Sequence, residues 1–76
     1  MSNNEELQLI HKGAVEAKKH LLLAHEATID ALQGVRNKYT EGERLDPALE
    51  DKFRDISAVG VKGLEWLDAL INSTKS

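Results

Sequence analysis

Residues 7–35 of the chain read LQLIHKGAVEAKKHLLLAHEATIDALQGV. Apolar or small side chains recur here at alternating steps of three and four residues, and this spacing puts them on one face of an α-helix. A β-strand would alternate every second residue instead, so the stretch predicts a helix. The residues of this first stripe are Leu7, Ile10, Ala14, Ala17, Leu21, Ala24, Thr28, Ala31 and Val35.

The rest of the chain predicts a helical hairpin with a short leading segment. Gly13 lies within this stretch, and we expect a kink or a break near it because glycine within a helix costs about 1 kcal/mol relative to alanine. Gly42 can end a helix, while Asp46 before Pro47 is typical of a helix start. The predicted elements are a leading helical segment over 1–13, a long helix over 14–39, a turn over 40–46 and a second long helix over 47–72.

The second helix has its own heptad stripe. Its residues are Leu49, Phe53, Ile56, Gly60, Gly63, Leu67 and Leu70. Two glycines weaken a helix, so we expect Gly60 and Gly63 to permit a close crossing against the alanine-rich stripe of the first helix. The alternative is that a ligand contacts the exposed backbone at these two glycines.

Size and composition favour one small domain that associates with itself. A core within 76 residues is marginal, and the chain has no cysteine for a disulfide or a thiolate metal site. Oligomerisation is the remaining way to stabilise such a scaffold. The predicted fold class is therefore all-α, with the hairpin assembled as a homo-oligomeric helical bundle of two to six subunits.

Charge and hydropathy exclude several classes of protein. The net charge of −3 disfavours a duplex-DNA binder, because such proteins neutralise phosphates with cationic side chains. The longest apolar run, residues 21–24, is too short to cross a membrane. The first residues, MSNNEE, lack the basic and apolar regions of a signal peptide. We therefore expect a cytoplasmic protein with no membrane partner.

A second stripe with heptad spacing mixes cationic and apolar side chains: His11, Val15, Lys18, Leu22, His25, Ile29, Leu32, Arg36 and Tyr39. One interpretation is that Lys18 and Arg36 flank a helix contact and cover apolar surface with their stems. The other is a site for an anion with apolar faces, such as a nucleotide. The candidate ligand-binding residues are His11, Lys12, Lys18, Lys19, His25, Arg36 and Tyr39.

The sequence predicts neither a metal site nor an enzyme. His11 and His25 would lie about 21 Å apart along a helix, and no two histidines are spaced four residues apart. The chain has no cysteine nucleophile, Ser57 has no histidine near it in sequence, and no phosphate-binding loop is present. We expect no cofactor.

The second helix ends with Trp66-Leu-Asp-Ala-Leu-Ile71, preceded by Lys62 and Gly63. In this stretch, and in its length and helical pattern, the chain resembles the small phage proteins that sequester cyclic oligonucleotide signals of the CBASS defence system. The resemblance implies a compact homo-oligomer, expected to be a hexamer, in the host cytoplasm. It would bind cyclic di- or trinucleotides between subunits without turnover.

The resemblance also implies roles for individual residues. His11 stands where the family has a ligand-stacking aromatic residue. Lys18 or Lys19 would supply the phosphate-binding lysine. The charged opening of the family's last helix is matched only loosely by Glu50-Asp-Lys52.

Two other functions fit the same pattern. One is a protein-interaction module, a bundle dimer that docks on and inhibits a host or phage protein through Leu9, Ile10 and Trp66. The other is an RNA-binding hairpin dimer that uses the basic stripe and would show a strong salt dependence. The acidic net charge disfavours the RNA-binding interpretation.

Overall fold

The computed structural model describes residues 3–40, 42 and 46–75. It contains two helices, α1 (Asn3–Thr40) and α2 (Pro47–Ser73), which pack antiparallel as a hairpin with extents of 60 × 17 × 16 Å. The predicted all-α hairpin is confirmed. Neither described helix contains a segment apolar and long enough to cross a membrane.

Helix α1 continues through Gly13, so the leading segment predicted over 1–13 is not a separate element. A Cβ atom at Gly13 would meet nothing within 4 Å, which means that no neighbouring group forces a bend. One glycine costs about 1 kcal/mol, and α1 remains helical because most of its other residues favour the helical conformation. Met1 and Ser2 of the predicted segment lie outside the described residues.

At the turn, α1 ends at Thr40, one residue later than predicted, and α2 begins at the predicted Pro47. Gly42 has a φ of 89°, a left-handed conformation that glycine adopts without strain, and its N–H donates to the carbonyl of Tyr39 at 3.0 Å. The Asp46 carboxylate accepts from the N–H of Ala48 at 3.0 Å, and Pro47 opens α2. Residues 41 and 43–45 of the predicted turn lie outside the described residues.

The two helices meet along two rows of buried or half-buried residues, here called the inner seam. On α1 the row is His11, Ala14, Lys18, Leu21, His25, Thr28, Leu32, Val35 and Tyr39. On α2 it is Glu50, Phe53, Ser57, Gly60, Gly63, Leu64, Leu67, Ile71 and Thr74. Ala14 is the one fully buried hydrophobic residue in the described part of the chain.

The predicted contact faces were right only in part, because about half of each predicted stripe lies in the inner seam and the rest is exposed. On α1, the exposed members of the first stripe are Leu7, Ile10, Ala17, Ala24 and Ala31. On α2, the exposed members of the predicted stripe are Leu49, Ile56 and Leu70. Two apolar stripes run side by side on α1, and α2 packs on the line between them, so hydrophobic spacing alone did not identify the contact face.

The predicted close crossing at the glycines is confirmed, and its partners are Leu21 of the first stripe and His25 of the second stripe. A Cβ atom at Gly60 would lie 2.9 Å from Nδ1 of His25, and one at Gly63 would lie 2.8 Å from Cδ2 of Leu21. Both distances are shorter than normal van der Waals contact, so α1 approaches α2 where α2 has no side chain. The exposed alanines of α1 take no part in this crossing.

The first residues of α1 extend beyond the end of α2, because His11 is hydrogen-bonded to Thr74 directly after the last residue of α2. This overhang leaves Leu7 44% and Leu9 68% exposed. Many other large hydrophobic side chains are exposed along both helices. Such an extended hairpin with so much exposed apolar surface suggests oligomerisation.

Candidate functional site

Three of the candidate ligand-binding residues, His11, Lys18 and Tyr39, contact α2 or its C-terminal cap through polar groups. Nζ of Lys18 lies 2.6 Å from Oδ1 of Asp68. Nδ1 of His11 forms a hydrogen bond of 2.9 Å with the hydroxyl of Thr74. Since the Lys18 and Asp68 side chains are half exposed, their ion pair adds little stability but does link particular positions on the two helices.

His25 lies at the helix crossing. Its Nδ1 is buried against Gly60 and has no hydrogen-bond partner in the described part of the chain. The hydroxyl of Thr28 donates to the carbonyl of His25 at 2.7 Å, within the same helix. In this hairpin the imidazole of His25 therefore packs against the backbone of α2.

Tyr39 and Arg54 both contact the Glu50 carboxylate near the turn. The Tyr39 hydroxyl donates to Oε2 of Glu50, and Nη2 of Arg54 lies 2.5 Å from Oε1. The hydrogen bond from Tyr39 holds the pKa of Glu50 below its ordinary value; desolvation opposes this shift, and Arg54 and Arg36 reinforce it. Glu50, whose side chain is only 11% exposed, is therefore held in its charged form.

A cleft of about 270 Å³ lies beside this cluster and is called the turn-end cleft. Its lining residues are Ile29, Leu32, Gln33, Arg36 and Arg54. Two guanidinium groups, one from each helix, thus meet beside two aliphatic side chains. Guanidinium groups bind phosphate through paired hydrogen bonds, and the aliphatic side chains can contact a base or sugar.

A second cleft, of about 450 Å³, lies at the open end of the hairpin and is called the open-end cleft. Its lining residues are Asn4, Leu7, Gln8, His11, Ser73, Thr74 and Lys75. It combines amide groups, an imidazole and one ammonium group.

One hairpin does not bring the seven candidate residues together. His11 and Tyr39 are about 42 Å apart along α1 at the standard helical rise. His11, Lys12 and Arg36 line three different clefts, while Lys18, His25 and Tyr39 face α2. Lys12 and Lys19 are exposed and seven residues apart, on one side of α1.

Arg54 and Gln33 were absent from the predicted site. Arg54 forms an ion pair with Glu50 of the same helix. Such a pairing does not indicate from sequence alone that Arg54 lies near α1. The contacts of His11 with Thr74 and of Tyr39 with Glu50 fix the hairpin register that brings Arg54 beside Leu32. A sequence analysis that derived this register could have found the cleft.

Among residues 3–40, 42 and 46–75, no cluster of histidine, cysteine, aspartate and glutamate side chains could hold a metal ion. Comparisons of the chain with protein-family models, with curated proteins and with solved structures gave no match. The function is therefore argued from the geometry of the two clefts and of the exposed surfaces.

Proposed function

We propose that this protein is a non-enzymatic binding protein that sequesters cyclic oligonucleotide signals of a bacterial antiphage defence system. The turn-end cleft is the observation that carries the proposal. Arg36 and Arg54 would bind phosphates, while Ile29 and Leu32 contact the apolar faces of the bases. The amide of Gln33, which donates to Asn37 at 3.2 Å, lies at the rim and can turn towards a base edge.

The size of the turn-end cleft supports a site shared between subunits. At about 270 Å³ it lies below the roughly 300–1,000 Å³ typical of pockets that enclose a small molecule. A cyclic dinucleotide held there would extend beyond the hairpin, and a second subunit of a homo-oligomer would cover the rest. The exposed cations Lys12 and Lys19 supply further phosphate contacts in this proposal.

Native mass spectrometry with a panel of cyclic di- and trinucleotides tests the proposal, with the corresponding linear dinucleotides as controls. We expect a stoichiometric mass shift on a discrete oligomer with a cyclic ligand and none with the linear controls. No shift at micromolar ligand, an affinity of about −8 kcal/mol, would overturn the proposal.

Matched variants locate the site. Arg36→Gln should weaken binding of the cyclic ligand about 10- to 100-fold, because a charge-assisted hydrogen bond contributes roughly 1.5–3 kcal/mol. Lys62→Gln removes an exposed cation that does not line either cleft and should leave the affinity unchanged. Loss of binding in Lys75→Gln but not in Arg36→Gln would move the site to the open-end cleft.

The overhang favours a second candidate function, a protein-interaction module that docks on and inhibits a host or phage protein. Leu9 is 68% exposed on a helical segment that α2 does not cover. If this candidate is correct, Leu9→Ser abolishes inhibition or binding of the target, while Leu23→Ser, at a 60% exposed position outside the overhang, has no effect.

A further inference from the structure

One side of the hairpin, here called the apolar face, carries two exposed rows that the inner seam leaves uncovered. The row on α1, the groove, consists of small residues: Gly13, Ala17, Ala24, Ala27, Ala31 and Gly34. The row on α2, the ridge, consists of large residues: Leu49, Ile56, Val59, Trp66 and Leu70. The ridge side chains are between 41% and 69% exposed.

Contacts across the inner seam place both rows on the same side. Gly63 precedes Trp66 by one helical turn and therefore lies on the ridge side of α2. A Cβ atom at Gly63 would meet the side chain of Leu21 on α1. On the opposite side, Asp68 contacts Lys18 and Arg54 shares the turn-end cleft with Ile29. Helical spacing then assigns the charged residues of the clefts to one face of the hairpin and the groove and ridge to the other.

The apolar face has almost no charge. Helical spacing assigns certain residues of the ranges 10–34 and 49–70 to this face. They include His20 and Lys52 but no aspartate or glutamate. The chain contains 13 acidic residues, yet none of them lies at these positions of the apolar face. Interface centres are depleted of charged residues in the same way.

We propose that the apolar face binds a second copy of this chain, with the ridge of each copy packed into the groove of the other. In this arrangement a two-fold axis parallel to the long axis of the hairpin relates the two copies. The dimer is then a four-helix bundle with both turns at the same end. The contact of Lys18 with Asp68 puts Trp66 level with the middle of the groove. Trp66 of one copy then lies over Ala17 and Ala24 of the other.

A second copy fits this face better than an unrelated partner, because one surface supplies both halves of the contact. Large side chains on α2 and small residues on α1 repeat with the same heptad spacing and at the same levels. A face of about 60 by 17 Å has an area of the order of 1,000 Å², comparable with the roughly 800 Å² that each partner buries in a stable dimer. This inference does not depend on the ligand proposed above.

Sedimentation velocity over a range of protein concentrations, with the fluorescence of the single tryptophan, tests the dimer. We expect dimerisation and a shift of the Trp66 emission to shorter wavelength as the protein concentration rises. Ala24→Glu places a carboxylate in the groove and should raise the dimer Kd at least about 100-fold, because a buried unpaired charge is strongly unfavourable. Ala58→Glu is the matched control, since Ala58 is equally exposed but lies on the other face.

A spin label at Asp51→Cys tests the arrangement, because the chain has no other cysteine and Asp51 is exposed near the turn. With both turns at one end, the two labels lie within about two helix diameters, roughly 25 Å. With the turns at opposite ends, their separation approaches the length of the hairpin. The longer distance would overturn the ridge-into-groove arrangement.

Two further results would overturn the proposal. One is a protein that remains monomeric, with an unchanged Trp66 emission, at hundreds of micromolar. The other is dissociation by Ala58→Glu but not by Ala24→Glu. Circular dichroism reports whether Ala24→Glu remains helical. Trp66→Ser provides a second variant, because Trp66 is 69% exposed in the hairpin and its loss should weaken the dimer without unfolding the helices.

Discussion

The inner seam and the apolar face are adjacent surfaces of the same two helices, yet they differ in chemistry. The inner seam contains the contacts of Lys18 with Asp68 and of His11 with Thr74, besides its aliphatic residues. The apolar face exposes Trp66 and its aliphatic neighbours. Polar pairs have strict distance requirements and can specify one register, whereas apolar burial is roughly proportional to area and suits association. The comparison indicates that the seam sets the register of the hairpin, and in the proposed dimer the apolar face would add stability by burial against the second copy.

The largest expected effect comes from the apolar face. The double substitution Ile56→Ser and Leu70→Ser should lower the free energy of unfolding by about 3 kcal/mol or more in an associated protein, because both side chains would lose buried area. In an isolated hairpin the effect should be far smaller. Urea unfolding at two protein concentrations measures the free energy of unfolding. A small change that does not depend on protein concentration would contradict burial of the apolar face by association.

A smaller effect is expected at the helix crossing. Gly60→Ala should reduce the free energy of unfolding by about 1–3 kcal/mol, because the new methyl would lie 2.9 Å from the imidazole of His25. At Gly63 the contacting atom is the tip of Leu21, which can move, so Gly63→Ala should be milder. Thermal unfolding ranks the two variants, and equal midpoints would show that the crossing is looser than described.

The pH dependence of stability tests the cluster at the turn. Because the pKa of folded Glu50 lies below its ordinary value, its contribution is present above about pH 4.3, where the unfolded carboxyl ionises. It is lost as the pH falls further, towards the folded pKa. Glu50→Gln should flatten this acid dependence in urea unfolding between pH 5 and 2, while Glu65→Gln, at an exposed position, should retain it.

The smallest effect is expected for the ion pair of the inner seam. Lys18→Gln should change the free energy of unfolding by less than about 1 kcal/mol, since both side chains are half exposed and screened by water. High salt should reduce the difference between the variant and the original protein. A loss of several kcal/mol would instead mean that the pair is buried in the assembled protein.

The sequence predicted the hairpin and its turn, but it did not predict the cleft that residues of both helices line. Asp46 and Gly42 marked the turn because cap and turn conformations depend on a few neighbouring residues. Gly60 and Gly63 marked the crossing because two glycines one turn apart leave space for a neighbouring helix, whereas Gly13 and Gly34 of α1 meet no neighbouring group. The candidate ligand-binding residues all came from α1, so the cleft that Arg54 completes from α2 was missed.

The sequence by itself determined that the chain forms two amphipathic helices joined at Gly42 and Asp46, because these features depend on heptad spacing and local capping. Only the tertiary structure decided which side of each helix faces the other. The apolar stripe and the mixed stripe on α1 have the same heptad spacing, and the line between them faces α2 through contacts of distant residues such as Lys18 with Asp68 and His25 with Gly60. Those contacts leave Ala17, Ala24 and Ala31 exposed on the apolar face.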